Sequence, residues 1–325
     1  MNLIEITQRF SSELSCIEYM ESIRWGKYVR CPYCNSRKIG TRNKDHRWHC
    51  KSCEKSFSVT TGTNLHNTRL PLRTWVMAIA IITDAKKGVS AMQLQRNIGV
   101  HYETAWKMYM KLRGLMVEDI PMIDGIAEMD ETFIGGKPRW GADFTTINPR
   151  KRIELDTRIK ELKKDGIILQ KSIPKKKTPD INAKRGRGTN KIPVVGIVQR
   201  DGNVIAQVMK DLTYKNLKDM VRKFTDEDNT VLITDEYKGY NKISQIIEHV
   251  KIEHNRRLYS YKGVNTNTIE SFWAIIKRGI IGQYHKVSPK YLPDYIAEFV
   301  FKYNNRKEDD MFETLIMKCL EPINR

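Results

Sequence analysis

Three carboxylates stand in places where a surface charge does not belong. Asp130 lies inside the apolar stretch Ile126–Ile134, and Asp235 follows the apolar run Thr230–Thr234. Glu270 sits on an amphipathic segment beside Ile269, Phe272, Trp273 and Ile276. An acidic residue is ordinarily a solvated charge; placement among core residues sets these apart. Carboxylates gathered at one end of a sheet repel one another, and their hard oxygens with open coordination positions suit magnesium or manganese. Two such ions can activate a hydroxyl nucleophile and stabilise the leaving oxygen of a phosphodiester. Lys277 is seven residues beyond Glu270, on the same helical face two turns away. Lys277 and Arg278 could hold a phosphate backbone beside the acidic centre. Asn267, three before Glu270, either caps the helix or positions a metal-bound water, with capping favoured.

A second chemistry lies near the start. Cys31-Pro-Tyr-Cys34 and Cys50-Lys-Ser-Cys53 are two knuckles with fifteen residues between Cys34 and Cys50. Each knuckle supplies two corners of a zinc tetrahedron, and four thiolates leave no open position, so the expected zinc is structural. The alternative, two redox pairs, needs a βαβ context that this segment lacks. Cys16 and Cys319 stand apart and read as small buried hydrophobes. The ribbon is rimmed by Arg24, Trp25, Lys27, Tyr28, Arg30, Arg37, Lys38, Arg42, Lys44 and Arg47. That rim could track phosphates, or the ribbon could serve as a protein–protein module.

The elements that must position these groups are legible as two kinds of pattern. A helix opens at Leu70–Trp75, carries Trp75, Val76, Ile79 and Ile82 at helical spacing, and ends at Lys86-Lys87-Gly88. Ser90 suits the N-cap of 91–98, Gly99 a tight turn, and a longer helix runs from Tyr102 to Met116 with Trp106, Met110 and Leu112 inward. This is a helix-turn-helix pattern, with a plain three-helix packing unit as the alternative. His101, Tyr102, Glu103 and Lys107 would then face the major groove, with Lys111 and Arg113 nearer phosphates. Beyond it, strands are expected at 126–134, 192–199, 204–209, 230–234 and 250–253, and helices at 214–224 and 268–281. The order βββαβ(α)βα is that of a ribonuclease-H-like domain. Residues 137–191 depart from it: 151–165 could be helical, while Lys175–Lys177 and Lys184-Arg185-Gly186-Arg187-Gly188 mark a basic arm that attracts phosphates or is simply solvated.

Composition bounds the whole. The chain has 325 residues, with 57 Lys and Arg against 38 Asp and Glu, a net charge of +19. Nucleic acid is the favoured counter-charge and an anionic membrane surface the lesser one. At 40 % apolar and 9 % aromatic the chain can build a core, which excludes a wholly disordered basic tail. The longest apolar run, near Val76–Ile82, is too short to span a bilayer, and MNLIEITQRF lacks the pattern of a secretory signal. Paired cysteines point to a reducing compartment. The expectation is a multidomain α+β protein: an N-terminal helical segment (1–30), a zinc ribbon (31–58), a helix-turn-helix unit (68–117), and a ribonuclease-H-like α/β catalytic domain (122–325) with a basic insertion at about 137–191.

The motifs Asp130-Glu131-Thr132-Phe133-Ile134-Gly135-Gly136-Lys137, Thr234-Asp235-Glu236-Tyr237-Lys238-Gly239-Tyr240 and Asn267-Thr268-Ile269-Glu270-Ser271-Phe272-Trp273 belong together. With Lys277-Arg278-Gly279, Gly282, Tyr284, His285 and Tyr303-Asn304-Asn305-Arg306, they resemble the DDE-superfamily transposases of insertion sequences, in particular the ISXO-like group related to Merlin elements. The resemblance runs from about Cys16 to Arg306. It implies a ribonuclease-H-like fold with Asp130 and Asp235 as ligands of magnesium or manganese, and Lys277 as the signature lysine. The third position is Asn267 or Glu270, and charge favours Glu270. The implied reaction is hydrolysis of element ends to free 3′-hydroxyls, followed by their attack on target DNA without a covalent enzyme intermediate. Terminal inverted repeats would be read by the helix-turn-helix, with the ribbon as a secondary reader and Arg278 and His285 also on DNA. Two ends held together imply a homodimer or larger assembly, in the cytoplasm and on the nucleoid of a prokaryote. Two other classes stay open: a DNA-binding regulator with an inert C-terminal domain, and a metal-dependent nuclease without strand transfer.

Overall fold

The computed structural model describes residues 3–135, 191–252, 265–307 and 310–323. The chain divides into two compact units, Met1–Thr132 with Pro193–Arg325, and Phe133–Ile192. Nearly all of the second unit, including the expected helix 151–165 and the basic arm, lies outside the described residues.

The larger unit begins with α1 (Leu3–Arg9) and α2 (Glu13–Trp25), the latter opened by a capping box between Ser12 and Ser15. A two-stranded ribbon follows, β1 (Trp48–His49) antiparallel to β2 (Ser56–Phe57). Three helices come next: α3 (Leu72–Asp84), α4 (Ala91–Ile98) and α5 (Tyr102–Leu115). The expected punctuation is present. Ser90 caps α4 by accepting from Gln93 N at 3.2 Å, and Gly99 takes a left-handed φ of 68°. Phe10, Met20, Trp75, Ile79, Ile82 and Leu112 form one core, and it is closed from the far end of the chain. There α9 (Met311–Leu320) inserts Phe312, Leu315, Ile316 and Cys319.

The sheet has five strands: β3 (Ile123–Ile134), β4 (Ile192–Gln199), β5 (Val204–Val208), β6 (Thr225–Thr234) and β7 (Glu248–Lys251), in the order β5-β4-β3-β6-β7. β4 and β5 are an antiparallel hairpin, whereas β3, β6 and β7 run parallel. One face packs Ala127, Met129, Val195, Ile197 and Leu232 on α6 (Tyr214–Phe224) and on Tyr240 and Ile243. The other face receives α7 (Asn267–Gly279), and here Gly196 matters. A Cβ at Gly196 would lie 2.8 Å from the Trp273 ring, so only glycine admits this helix so close to β4. β6 starts five residues earlier than expected because Thr225 pairs with Ile123; Asp226 then accepts from the amides of Asp228 and Asn229, and the register to β3 shifts there before settling at Gly125↔Thr230. After α7 a π-turn (Ile280–Tyr284) leads to α8 (Leu292–Asn304). No helix among the described residues is long and apolar enough to cross a membrane.

A buried charge hub ties α5 to α8. Glu298 is fully buried and accepts from Arg113 Nε (2.8 Å), Lys302 Nζ (2.6 Å) and Tyr109 Oη (2.7 Å). The Arg113 guanidinium also lies over the rings of Tyr109 and Tyr295 at 3.8 and 3.6 Å. Burial alone would raise the Glu298 carboxyl, but Lys302 and Arg113 overcome it and hold it down at about 2. Glu298→Gln should therefore cost about 3–5 kcal/mol in denaturant unfolding at neutral pH, because it leaves two buried cations uncompensated. The wild-type contribution is complete above the ordinary carboxyl value of 4.5 and is lost as pH falls towards 2, so the gap between the two proteins should close in acid.

Candidate active site

The parallel register builds the acidic centre. The last pair between β3 and β6 is Met129↔Thr234, so the next residues on the two strands are Asp130 and Asp235. The two aspartates thereby become neighbours where the pairing of β3 with β6 ends, Asp130 within β3 and Asp235 just past β6. Glu131 joins them, and oxygens of Asp130, Glu131 and Asp235 lie within 4.8 Å of one another. Each is held by its surroundings. Buried Tyr240 donates its hydroxyl to Glu131 Oε2 at 2.7 Å, and Asp235 Oδ1 accepts from Tyr237 N at 3.0 Å. Burial, then the charge of Glu131, pushes the Asp130 carboxyl up to about 7, with Asp235 and Glu270 adding to the effect. Burial and the Glu131 charge likewise keep Tyr240 protonated as a donor.

Glu270 occupies the first turn of α7. Its charge reaches Asp130, but its carboxylate lies outside the three-acid cluster, is exposed, and accepts from Thr266 Oγ1 at 3.1 Å. Asn267 does not cap the helix. It is the first helical residue and exposed, and the amides of Thr268 and Ile269 go instead to Glu128 on β3. Lys277 and Arg278 are exposed in the last turn of α7, and Arg278 Nε is bonded back to Ala274 O at 2.9 Å. His285 is exposed after the π-turn with a φ of 56°.

In the helical part, His101, Tyr102, Glu103, Lys107 and Lys111 are exposed on or beside α5. Arg113 is the exception: at 2 % exposure it is committed to Glu298 and has no surface to offer a phosphate. The four ribbon cysteines converge, with Sγ atoms of Cys31 and Cys53, and of Cys34 and Cys50, 3.6 Å apart. Tetrahedral zinc with bonds near 2.3 Å requires about 3.8 Å between sulfurs, so the cluster fits a structural zinc ion. Beside it, Lys27 and Arg37 flank the exposed Tyr28 ring, each 5.9 Å from its centroid.

Two acids of this neighbourhood escape a reading of the sequence. Strand alternation would send Glu131 to the face opposite Asp130, yet the two carboxylates bring oxygens within 4.8 Å of each other. Glu128 carried a signal, being a charge between Ala127 and Met129 in an apolar strand.

If the four thiolates hold zinc, full-length protein should contain about one ion per chain by the four-ligand arithmetic. Cys31→Ser with Cys34→Ser should lose it, as read by elemental analysis; zinc retained by that variant would overturn the assignment.

Comparison with known proteins agrees with this organisation. Residues 161–304 match the model described as an ISXO2-like transposase domain, and residues 11–56 match a transposase zinc-ribbon domain. The first match spans Asp235, Asn267, Glu270 and Lys277 and begins beyond Asp130. A protein of Halobacterium salinarum, described as an uncharacterized protein in transposable element ISH50, is 24 % identical over 301 residues, covering 89 % of this chain and 90 % of its own length. With both domains matched in order along one polypeptide, the chain is similar to the insertion-sequence transposases of the ISXO-like group that carry an N-terminal zinc ribbon.

Proposed function

We propose that this chain is a DDE-type transposase that cuts element ends and joins their 3′-hydroxyls to target DNA. The observation that carries the reading is the adjacency of Asp130 and Asp235 where the parallel pairing of two strands ends, inside a chain that matches transposase domain models. The sheet order β5-β4-β3-β6-β7, with an antiparallel hairpin beside three parallel strands, supports a ribonuclease-H-like domain.

The donor set fits magnesium or manganese: hard oxygens, open on one side, whose mutual repulsion a cation relieves. Asp130 and Asp235 are the proposed ligands, completed by Glu131 or by Glu270. Bound there, divalent ions would supply hydroxyl activation and leaving-group stabilisation in phosphodiester chemistry. The chain itself does the rest. Tyr240 and Tyr237 N orient the carboxylates, and Lys277 and Arg278 present positive charge from the helix that carries Glu270. The exposed face of α5, with His101, Tyr102, Lys107 and Lys111, is proposed to read double-stranded DNA as the second helix of a helix-turn-helix, and His285 is placed on the DNA as well. Synapsis of two ends calls for a homodimer or larger complex, acting in the cytoplasm at the nucleoid.

Strand transfer by full-length protein with magnesium and a labelled element end tests the reading. Asp235→Ala should lower joined product at least about a hundredfold, with DNA affinity changed less than about twofold. Equal product from the two proteins would overturn the metal-site assignment, and cleavage without any joined product would leave a nuclease.

The raised Asp130 carboxyl adds a pH dependence. It must lose its proton to meet a cation, so below about 7 proton and metal compete. Half-saturating magnesium should rise about tenfold per pH unit on the acid side of that value and level off above it. A metal requirement flat from pH 6 to 8 would show that Asp130 is no ligand.

A further inference from the structure

Glu128 is a buried carboxylate that the proposed chemistry does not use. It lies on β3 two residues before Asp130, so both side chains leave the strand on the same face. It is fully buried, and every bond it makes leads to α7 or to the residue that braces it. Oε2 accepts from the amides of Thr268 (2.9 Å) and Ile269 (3.0 Å), while Oε1 accepts from Thr268 Oγ1 (2.9 Å) and from Arg200 Nε (2.9 Å). Arg200 in turn donates Nη2 to Asn265 O at 2.9 Å and its backbone amide to Ile126 O at 3.0 Å. The residue at the cap position of α7, Thr266, makes no side-chain cap bond. Asn267 N donates to Asn265 Oδ1 on the helix's own flank at 3.2 Å, and the next two orphan amides, Thr268 and Ile269, are satisfied by a strand. A carboxylate at a helix N-terminus also gains from the helix dipole.

A cap supplied from a strand does something that a local cap cannot. It fixes the height and rotation of α7 on the sheet, at the turn that carries Asn267 and Glu270, next to the strand that carries Asp130. We propose that Glu128 is a positioning residue: with Arg200 it locks the first turn of α7 to β3 and so sets Glu270 and Asn267 relative to Asp130. This rests on reading the acidic centre as a cation-dependent active site. Displacements of about 1 Å in such constellations cost up to about a hundredfold in rate.

The test compares wild-type, Glu128→Gln and Arg200→Lys full-length proteins by two measurements. The first is amide hydrogen exchange without added magnesium. In Glu128→Gln, exchange at residues 267–270 should accelerate at least about tenfold while α2 and α8 keep wild-type rates. The second is the magnesium dependence of strand transfer per folded molecule. Half-saturating magnesium should rise, or kcat fall, about tenfold, with KM for DNA within about twofold. A purely structural role would lower thermal stability and leave both kinetic quantities per folded molecule unchanged. Unchanged exchange, or faster exchange with wild-type magnesium dependence and kcat, overturns the proposal. Should Glu128→Gln fail to fold, Arg200→Lys decides: it keeps the charge but loses the forked donor, and should show the same pair of shifts in smaller measure, whereas wild-type behaviour overturns the proposal. If wild-type protein shows no magnesium-dependent chemistry at all, the transposase reading falls instead, and the exchange arm still judges the link from Glu128 to α7.

Discussion

Like charges held closer than they would choose are the constraint around which this sheet is arranged. Asp130, Glu131 and Asp235 are not drawn together by any attraction among themselves; the backbone register of β3 on β6 places the two aspartates side by side. The energy of that placement is carried by buried apolar contacts of Ala127, Met129 and Leu232 beneath the strands. Its signature is the Asp130 carboxyl, raised by burial and by its neighbours to about 7. Because that value lies above the ordinary 3.8, the folded chain holds a proton that the unfolded chain releases, and stability falls as pH rises between the two values. A divalent cation, as proposed for this centre, would remove the repulsion and its cost together. Tension among these carboxylates and an affinity for a cation would thus be the same free energy seen from two sides.

The opposite solution operates at Glu298. There a single buried carboxylate is matched by Arg113, Lys302 and Tyr109, so the charge is satisfied by the protein alone. Tyr284, at the end of the π-turn that follows α7, donates to the same carboxylate at 3.2 Å. The packing is close: a Cβ at Gly88 would collide with the Tyr284 hydroxyl, which is why the chain leaves α3 through a glycine with φ of 78°. The buried side of α5 is thereby joined to the segment immediately beyond the helix that carries Glu270 and Lys277, while its other side stays exposed.

What the sequence discloses and what it conceals follow from the range of the interactions. The zinc cluster is legible because two thiolates on one turn are a local arrangement, and Ser90 and Gly99 mark helix ends for equally local reasons. Asp130 and Asp235 stand out because an acid inside an apolar strand is costly unless something meets it. Arg113 misleads because a positive charge on a helix looks the same whether its partner is a phosphate or a glutamate 185 residues away. Asn267 misleads for a related reason: its type and position suit a cap, but the cap comes from Glu128, 140 residues before the Thr268 amide that it accepts from. Within the expected span 122–325, α9 packs into the core of the N-terminal helices, a partner that its sequence does not disclose, since an amphipathic helix does not state which apolar surface it covers.

Glu128 and Glu131 show why the third carboxylate is the hardest part of such a site to read. A parallel pair of strands can bring two acids together by register alone, because both backbones are fixed by the same ladder. A third ligand from another element has no ladder to align it and must be set by side-chain bonds across the sheet. In this chain the two candidates are secured in different ways. Glu131 shares the strand of Asp130 and is held by Tyr240, whereas Glu270 rides on a helix whose first turn is held by Glu128. The strand-borne acid is fixed as soon as the sheet forms. The helix-borne one depends on a bridge of hydrogen bonds from Glu128, made only once α7 has docked on the sheet.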